Sequence, residues 1–112
     1  MTLFEKIIAR EIPATIEYED EEIIAFRDIQ PVAPVHILLV TKKPIPSPFE
    51  VSEVDSALIG KLVLAAQSLA RKYGISDSGF RLVMNNGKEA GQSVEHLHMH
   101  LIGGRELNWP PG

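Results

Sequence analysis

Three histidines alternate in the run His96-Leu97-His98-Met99-His100, and a fourth, His36, stands alone near the start of an apolar segment. In an extended strand successive side chains point to opposite faces, so His96, His98 and His100 share one face while Leu97, Met99 and Leu101 occupy the other. Three imidazoles on one face pack no better than Val or Ile, and they repel one another when protonated. The pattern therefore points to chemistry. Imidazole titrates near working pH and, when neutral, is a good nucleophile toward phosphorus. A central histidine can attack while its neighbours fix its tautomer and help with charge. Substitution at phosphorus then splits into two displacements through a phospho-histidine.

A zinc site is the competing use of the same residues. Zinc takes ligand nitrogens at about 2.0–2.1 Å in a tetrahedron. His96 and His100, four residues apart on a strand, are separated by about 13 Å along the chain at a rise of about 3.3 Å per residue. One ion held by all three is disfavoured, and there is no cysteine. The one nearby carboxylate, Glu95, points to the other face. Two of these histidines with His36 as a third ligand remain open as a metal site. The expectation is a site that needs no metal and no cofactor.

The elements that must position these side chains follow from the rest of the chain. Thr2-Leu3-Phe4-Glu5 has the form of a capping box. Phe4, Ile7 and Ile8 continue it at helical spacing, so residues 3 to about 10 are expected as a short helix ended by Pro13. Thr15 to Glu19 and Ile23 to Phe26 read as two strands of a hairpin around the acidic turn Asp20-Glu21-Glu22. Val35 to Thr41 reads as a buried strand. Pro44, Pro46 and Pro48 exclude regular structure after it. Leu58, Ile59, Leu62, Ala65, Ala66, Leu69 and Tyr73 form the apolar face of one long helix, about 53 to 73, with Gly74 past its end. Gly79 to Asn85 and Val94 to Ile102 are the last two strands. The fold class is α+β, a mostly antiparallel five-stranded sheet with one long and one short helix.

The 112 residues suit a single domain, 1–112. Lys plus Arg number 11 against 15 Asp plus Glu, a net charge of −4. That balance offers no basic footprint for duplex nucleic acid. No apolar stretch approaches a membrane span and no signal-peptide pattern opens the chain, so a cytoplasmic protein is expected. A small anion is still accommodated by backbone amides. Candidates for holding one lie in Asn85-Asn86-Gly87-Lys88-Glu89-Ala90-Gly91-Gln92-Ser93-Val94, where Gly91 admits close backbone approach and Gln92 and Ser93 are donors. Taken alone, the loop reads equally as a hairpin turn, Asp28 as a turn residue and His36 as a strand-end histidine.

The run His96-Leu97-His98-Met99-His100-Leu101-Ile102 resembles the signature of the histidine triad family. So do Asp28-Ile29 with Pro31, Ala33, Pro34 and His36, Asn85 with Gly87, Gly91-Gln92-Ser93-Val94, and the tail from Gly103-Gly104-Arg105 to Trp109-Pro110-Pro111-Gly112. The resemblance covers essentially the whole chain and is strongest to the nucleotide-binding branch. It implies a purine nucleoside phosphoramidase or related nucleotidyl hydrolase acting on AMP or GMP derivatives. It makes His98 the nucleophile, with His100 and His36 assisting at the phosphate and His96 supporting the geometry. Asn85, Gly91, Gln92, Ser93 and Val94 fall to the phosphate side, and Phe26, Asp28 and Ile29 to the base and ribose. It also implies a homodimer with the sheet continued between protomers and the tail near the partner's site. His100 favours hydrolysis, since relatives that transfer nucleotides to sugar phosphates resemble His-x-His-x-Gln instead. Glu95 and Lys88-Glu89-Ala90 depart from the family pattern, which bears on leaving group and rate. A nucleotide-binding regulatory module with little turnover is the alternative.

Overall fold

The apolar run Val35–Thr41 forms the central strand of the sheet, and all seven of its residues are buried. A computed structural model describes all 112 residues, Met1–Gly112. In chain order the elements are α1 (Leu3–Ile8), β1 (Ile16–Glu19), β2 (Ile23–Arg27), β3 (Val35–Thr41), α2 (Ser56–Lys72), β4 (Phe80–Val83) and β5 (His98–Gly103). The sheet order is β1-β2-β3-β5-β4, and every neighbouring pair is antiparallel. This is the five-stranded α+β architecture expected from the sequence. No helix is long and apolar enough to cross a membrane.

Local chemistry sets most boundaries. The α1 capping box is complete: Thr2 N–H donates to Glu5 Oε1 at 2.9 Å, and Glu5 N–H donates to Thr2 Oγ1 at 3.2 Å. The β1–β2 turn closes on Asp20, whose Oδ1 accepts from the Glu22 and Ile23 amides at 2.8 Å each. The helix α2 ends as Gly74 predicts. With φ +70° at Gly74, its N–H reaches the Arg71 carbonyl and the Ile75 N–H reaches that of Ala70, a Schellman closure with buried Ile75 as its apolar plug.

Several boundaries differ from expectation, among them that of β4, which ends at Val83 and does not reach Asn85. The helix α1 stops at Ile8, not near residue 10, and Pro13 is not its terminator. Arg10 takes a left-handed φ of 63°, and Glu11 N–H bonds back to the Lys6 carbonyl, so the chain has turned before the proline. The long helix starts with a 3-10 turn at Glu53–Asp55, and its α portion begins at Ser56. The last strand begins at His98 rather than Val94. Residues 94–97 leave the ladder for other partners: Leu97 N–H bonds to the Ile45 carbonyl at 2.7 Å and His96 N–H to that of Val94 at 2.9 Å.

Both faces of the sheet are covered. On one, Ile37, Leu39, Leu97, Met99 and Leu101 pack beneath Leu62, Ala66 and Leu69 of α2. On the other, Ile24, Phe26, Leu38 and Val40 pack against Phe4 and Ile7 of α1. The short helix thus covers the face that carries His36, His98 and His100. Leu39, 0 % exposed, belongs to the core cluster on the α2 side of the sheet. Leu39→Ala is expected to lower unfolding free energy by about 2–5 kcal/mol in urea titration. A loss under about 1 kcal/mol would mean that the α2 layer does not hold the sheet as described.

Candidate active site

Each imidazole on the α1 face is fixed by a partner that selects its tautomer. His98 opens β5 opposite Val40. Its Nδ1 lies 2.7 Å from the His96 carbonyl oxygen. A carbonyl only accepts, so Nδ1 carries the proton and Nε2 keeps its lone pair. The ring of Phe4 meets His98 edge to face, with centroids 4.9 Å apart and planes at 83°, which holds the imidazole plane from the side.

A second chain of bonds orders His36 and His100. Val32 N–H donates to His36 Nδ1 at 3.1 Å, so neutral His36 carries its proton on Nε2. That nitrogen lies 2.8 Å from His100 Nδ1 and donates to it. His100 in turn holds its own proton on Nε2. A bare nitrogen on His98 and an N–H on His100 therefore sit on adjacent rings, with centroids 5.1 Å apart.

Electrostatics keep this set neutral. Burial pushes the His98 and His36 imidazoles below their ordinary range; Asp28 partly opposes this at both rings. Burial, then the neighbouring His98 and His36, bring His100 down to about 4. At neutral pH the site thus presents an unprotonated imidazole, His98, with a bare nitrogen, and Asp28 is the one carboxylate lining the same space.

His96 does not stand in a cleft as strand alternation predicts. It precedes β5 and is 1 % exposed. Its Nε2 lies 2.6 Å from the Thr41 carbonyl and its Nδ1 is buried with no partner. The ring anchors the backbone carbonyl that His98 uses, and it does not touch the open space.

That space is a cleft of about 320 Å³ beside His98 and His100. Of the residues proposed from sequence, Phe26, Asp28, Ile29, Ser93 and Val94 also line it. Ile29 is 94 % exposed at its mouth. Asp28 Oδ1 accepts from the Gln30 amide at 2.8 Å and its Oδ2 lies 3.4 Å from His36 Nε2. Asn85, Gly91 and Gln92 are not among the lining residues. Gln92 is committed to structure: its Oε1 accepts from Gly87 N–H, and its Nε2 donates to the carbonyls of Pro46 and Val94. Gly91, at φ +83°, ends a 3-10 turn. Leu3, Phe4 and Ile7 form a wall that sequence reasoning missed. The signal was present, since α1 was amphipathic and capped, but nothing in it said which face of the sheet it would cover.

One trio can present metal-ligand atoms together: Asp28, His36 and His100, within 4.8 Å of one another. The fit is poor. The 2.8 Å between His36 Nε2 and His100 Nδ1 is a shared-proton distance. Two nitrogens at about 2.0–2.1 Å from a tetrahedral ion stand farther apart than that. A cation would have to displace the proton and break the bond that orients His100.

Known proteins resemble this chain along its length. The HIT domain family matches residues 9–107. An uncharacterized HIT-like protein of Synechocystis is 55 % identical over 111 residues, 99 % of this chain and 96 % of that one. Arabidopsis thaliana adenylylsulfatase HINT1 is 46 % identical over 113 residues, 99 % of this chain and 76 % of that one. The crystal structure of a HIT family hydrolase from Legionella pneumophila superposes with a TM-score of 0.98 at 47 % identity, over 100 % of both chains.

The lowered imidazoles fix a pH dependence. A histidine whose folded value is depressed binds fewer protons folded than unfolded, so stability is present above the unfolded value and falls as pH drops. For His100 the window runs from 6.5 down to about 4. Unfolding free energy is expected to fall across that window. The His100 Cε1–H resonance should hold its neutral shift until near its lower end. A His100 titration midpoint at or above pH 6.5 would contradict the buried, neutral site.

Proposed function

The chain belongs to the HIT domain family, and from that premise we propose that it hydrolyses purine nucleoside 5′-phosphoramidates to the nucleoside monophosphate and an amine. The observation that carries the reading is the His98 ring, pinned through Nδ1–H to the His96 carbonyl with Nε2 bare beside the cleft. In the first displacement His98 Nε2 attacks the α-phosphorus and the P–N bond breaks. The departing nitrogen takes the P–N electron pair and a proton from the adjacent His100 Nε2–H, which solvent replaces while His36 Nε2–H keeps its bond to His100 Nδ1. In the second, water attacks the nucleotidyl-histidine and gives up one proton to solvent, the P–Nε2 bond breaks with its electron pair going to Nε2, and His98 returns to its neutral form. Ser93 and the amides about Val94 suit the phosphate oxygens. Phe26 and Ile29 suit the flat apolar faces of a purine, and Asp28 suits the ribose hydroxyls. The residues act without a metal in this sequence of steps.

A second leaving group is favoured by the Arabidopsis relative, which is named an adenylylsulfatase. Sulfate leaves as a stable anion and needs no proton, so the same attack by His98 serves a mixed phosphate–sulfate anhydride. A homodimer also belongs to this reading. The strand β4 is a sheet edge with Leu82 36 % exposed, and Trp109 of the tail is 82 % exposed, which suits a role against a second protomer.

Purified protein is expected to release AMP from adenosine 5′-phosphoramidate. His98→Asn retains a hydrogen-bonding side chain but has no nucleophilic nitrogen, and kcat is expected to fall by about 10³ or more. Calorimetry on that variant should still find AMP binding. Wild-type turnover in His98→Asn would end the covalent mechanism. Tight AMP binding by the wild type with negligible turnover of phosphoramidate and adenylyl sulfate would favour the regulatory module instead.

A further inference from the structure

The carbonyl that sets the His98 tautomer belongs to a segment outside the sheet ladder. Pairing of β5 with β3 starts at His98, opposite Val40, so the backbone of residues 94–97 must find other partners. The proline-rich stretch after β3 supplies two of them. Residues 44–46 lie in no helix or strand, which leaves their carbonyls free of any ladder. The Ile45 carbonyl accepts from Leu97 N–H at 2.7 Å, and the next carbonyl, that of Pro46, accepts from Gln92 Nε2 at 2.8 Å.

Gln92 joins three pieces of backbone. Its Oε1 accepts from Gly87 N–H at 2.8 Å while its own N–H donates to the Gly87 carbonyl at 3.1 Å, which closes the loop upstream. Its Nε2 donates to Pro46 and, at 3.0 Å, to the Val94 carbonyl. That carbonyl also accepts from His96 N–H at 2.9 Å, the closure of a γ-turn centred on Glu95. A bond that closes so small a ring is bent, and bent hydrogen bonds are weak. The second donor, from Gln92, therefore carries much of the hold on the turn. The turn ends at His96, whose carbonyl accepts from His98 Nδ1–H at 2.7 Å.

We infer that Gln92 is a positioning residue for His98: its side-chain amide fixes the Val94–His96 turn, and through it the carbonyl that keeps the His98 proton on Nδ1 and Nε2 bare. The family resemblance gives Gln92 to the phosphate side, whereas this role needs no contact with substrate. It deepens the hydrolase reading above and rests on it, because His98 is the nucleophile there. In water a neutral imidazole favours the proton on Nε2. A His98 released from its carbonyl thus loses the attacking lone pair. The His36–His100 pair is set separately, from the Val32 amide, and uses none of these bonds.

The full chain is compared with Gln92→Met and Gln92→Glu. Methionine keeps the length and offers no donor. Glutamate keeps an acceptor for Gly87 N–H and loses both donors, which separates closing the loop from holding the Val94 carbonyl. Proton positions are read by NMR of nitrogen-labelled histidines at neutral pH without substrate. In the wild type the His98 proton is expected on Nδ1. In both variants the Nε2–H form should become the major one at His98, while His36 and His100 keep their tautomers. In parallel, kcat for adenosine 5′-phosphoramidate should fall about tenfold or more. A His98 proton that stays on Nδ1 in both variants overturns the role even if kcat falls. The loss would then lie with Ser93, which stands between Gln92 and Val94 and lines the cleft. A shift in Gln92→Met alone overturns it as well, since the Gly87 bond would then suffice, and so does a shift at all three rings, which is general loosening. Lack of turnover by the wild type would sink the hydrolase reading, while the nitrogen signals still decide the positioning. If neither variant folds, the wild type decides. Its Gln92 Nε2 protons should exchange with water about tenfold or more slowly than those of the exposed Gln30 and Gln67, and equal rates overturn the role.

Discussion

The strand β3 is buried at every residue, so both faces of this small sheet must be roofed. The helix α2 is large enough to cover one face. The other falls to a six-residue helix and the histidines themselves. A helix that short is not stable alone and depends on its cap and its packing. Phe4 and Ile7 supply that packing, and the same residues form the wall of the cleft. The site is therefore the incompletely roofed part of a core face. Burial of His36 and His98 to 5 % exposure follows from where the sheet needs cover.

Burial then sets the chemistry. An imidazole removed from water resists protonation, and a buried N–H or lone pair must find a partner. The partners here are mainly backbone: the carbonyls of His96 and Thr41 and the amide of Val32. Backbone groups have fixed polarity, so each one dictates which ring nitrogen bears the proton. That determinism runs from Val32 through His36 to His100 and, separately, from His96 to His98. One nitrogen, His96 Nδ1, is left without a partner. Its cost is borne by a ring that lies outside the cleft and anchors the carbonyl on which His98 depends.

Much of this was legible in the sequence because two periodicities carried it. Alternation through Leu97, Met99 and Leu101 separated the core face from the histidine face, and it held even though residues 94–97 are not strand, since Leu97 joins the α2 core with the other two. The 3-4 spacing in 56–72 and Gly74 gave the long helix and its end. What stayed hidden depends on long-range partners. Nothing local says that Leu97 N–H goes to Ile45, that His96 leaves the cleft for the Thr41 carbonyl, or that Gln92 bridges Pro46 and Gly87.

Neutral histidines and an anionic substrate are complementary on the proposed reading. An acidic protein of net charge −4 gains from meeting a phosphate with donors that carry no counter-charge cost of their own. Asp28 is the one carboxylate among the residues lining the cleft, and one of its oxygens is engaged by the Gln30 amide. Once a phosphate lies against His98 and His100, the burial that suppressed protonation is opposed by a negative neighbour in a region of low dielectric. The imidazoles become better proton carriers at the moment a leaving nitrogen needs a proton. The free site holds His98 unprotonated for attack and the occupied site raises the proton affinity of His100 for departure. One set of buried rings can thus serve both halves of a displacement without a separate acid and base.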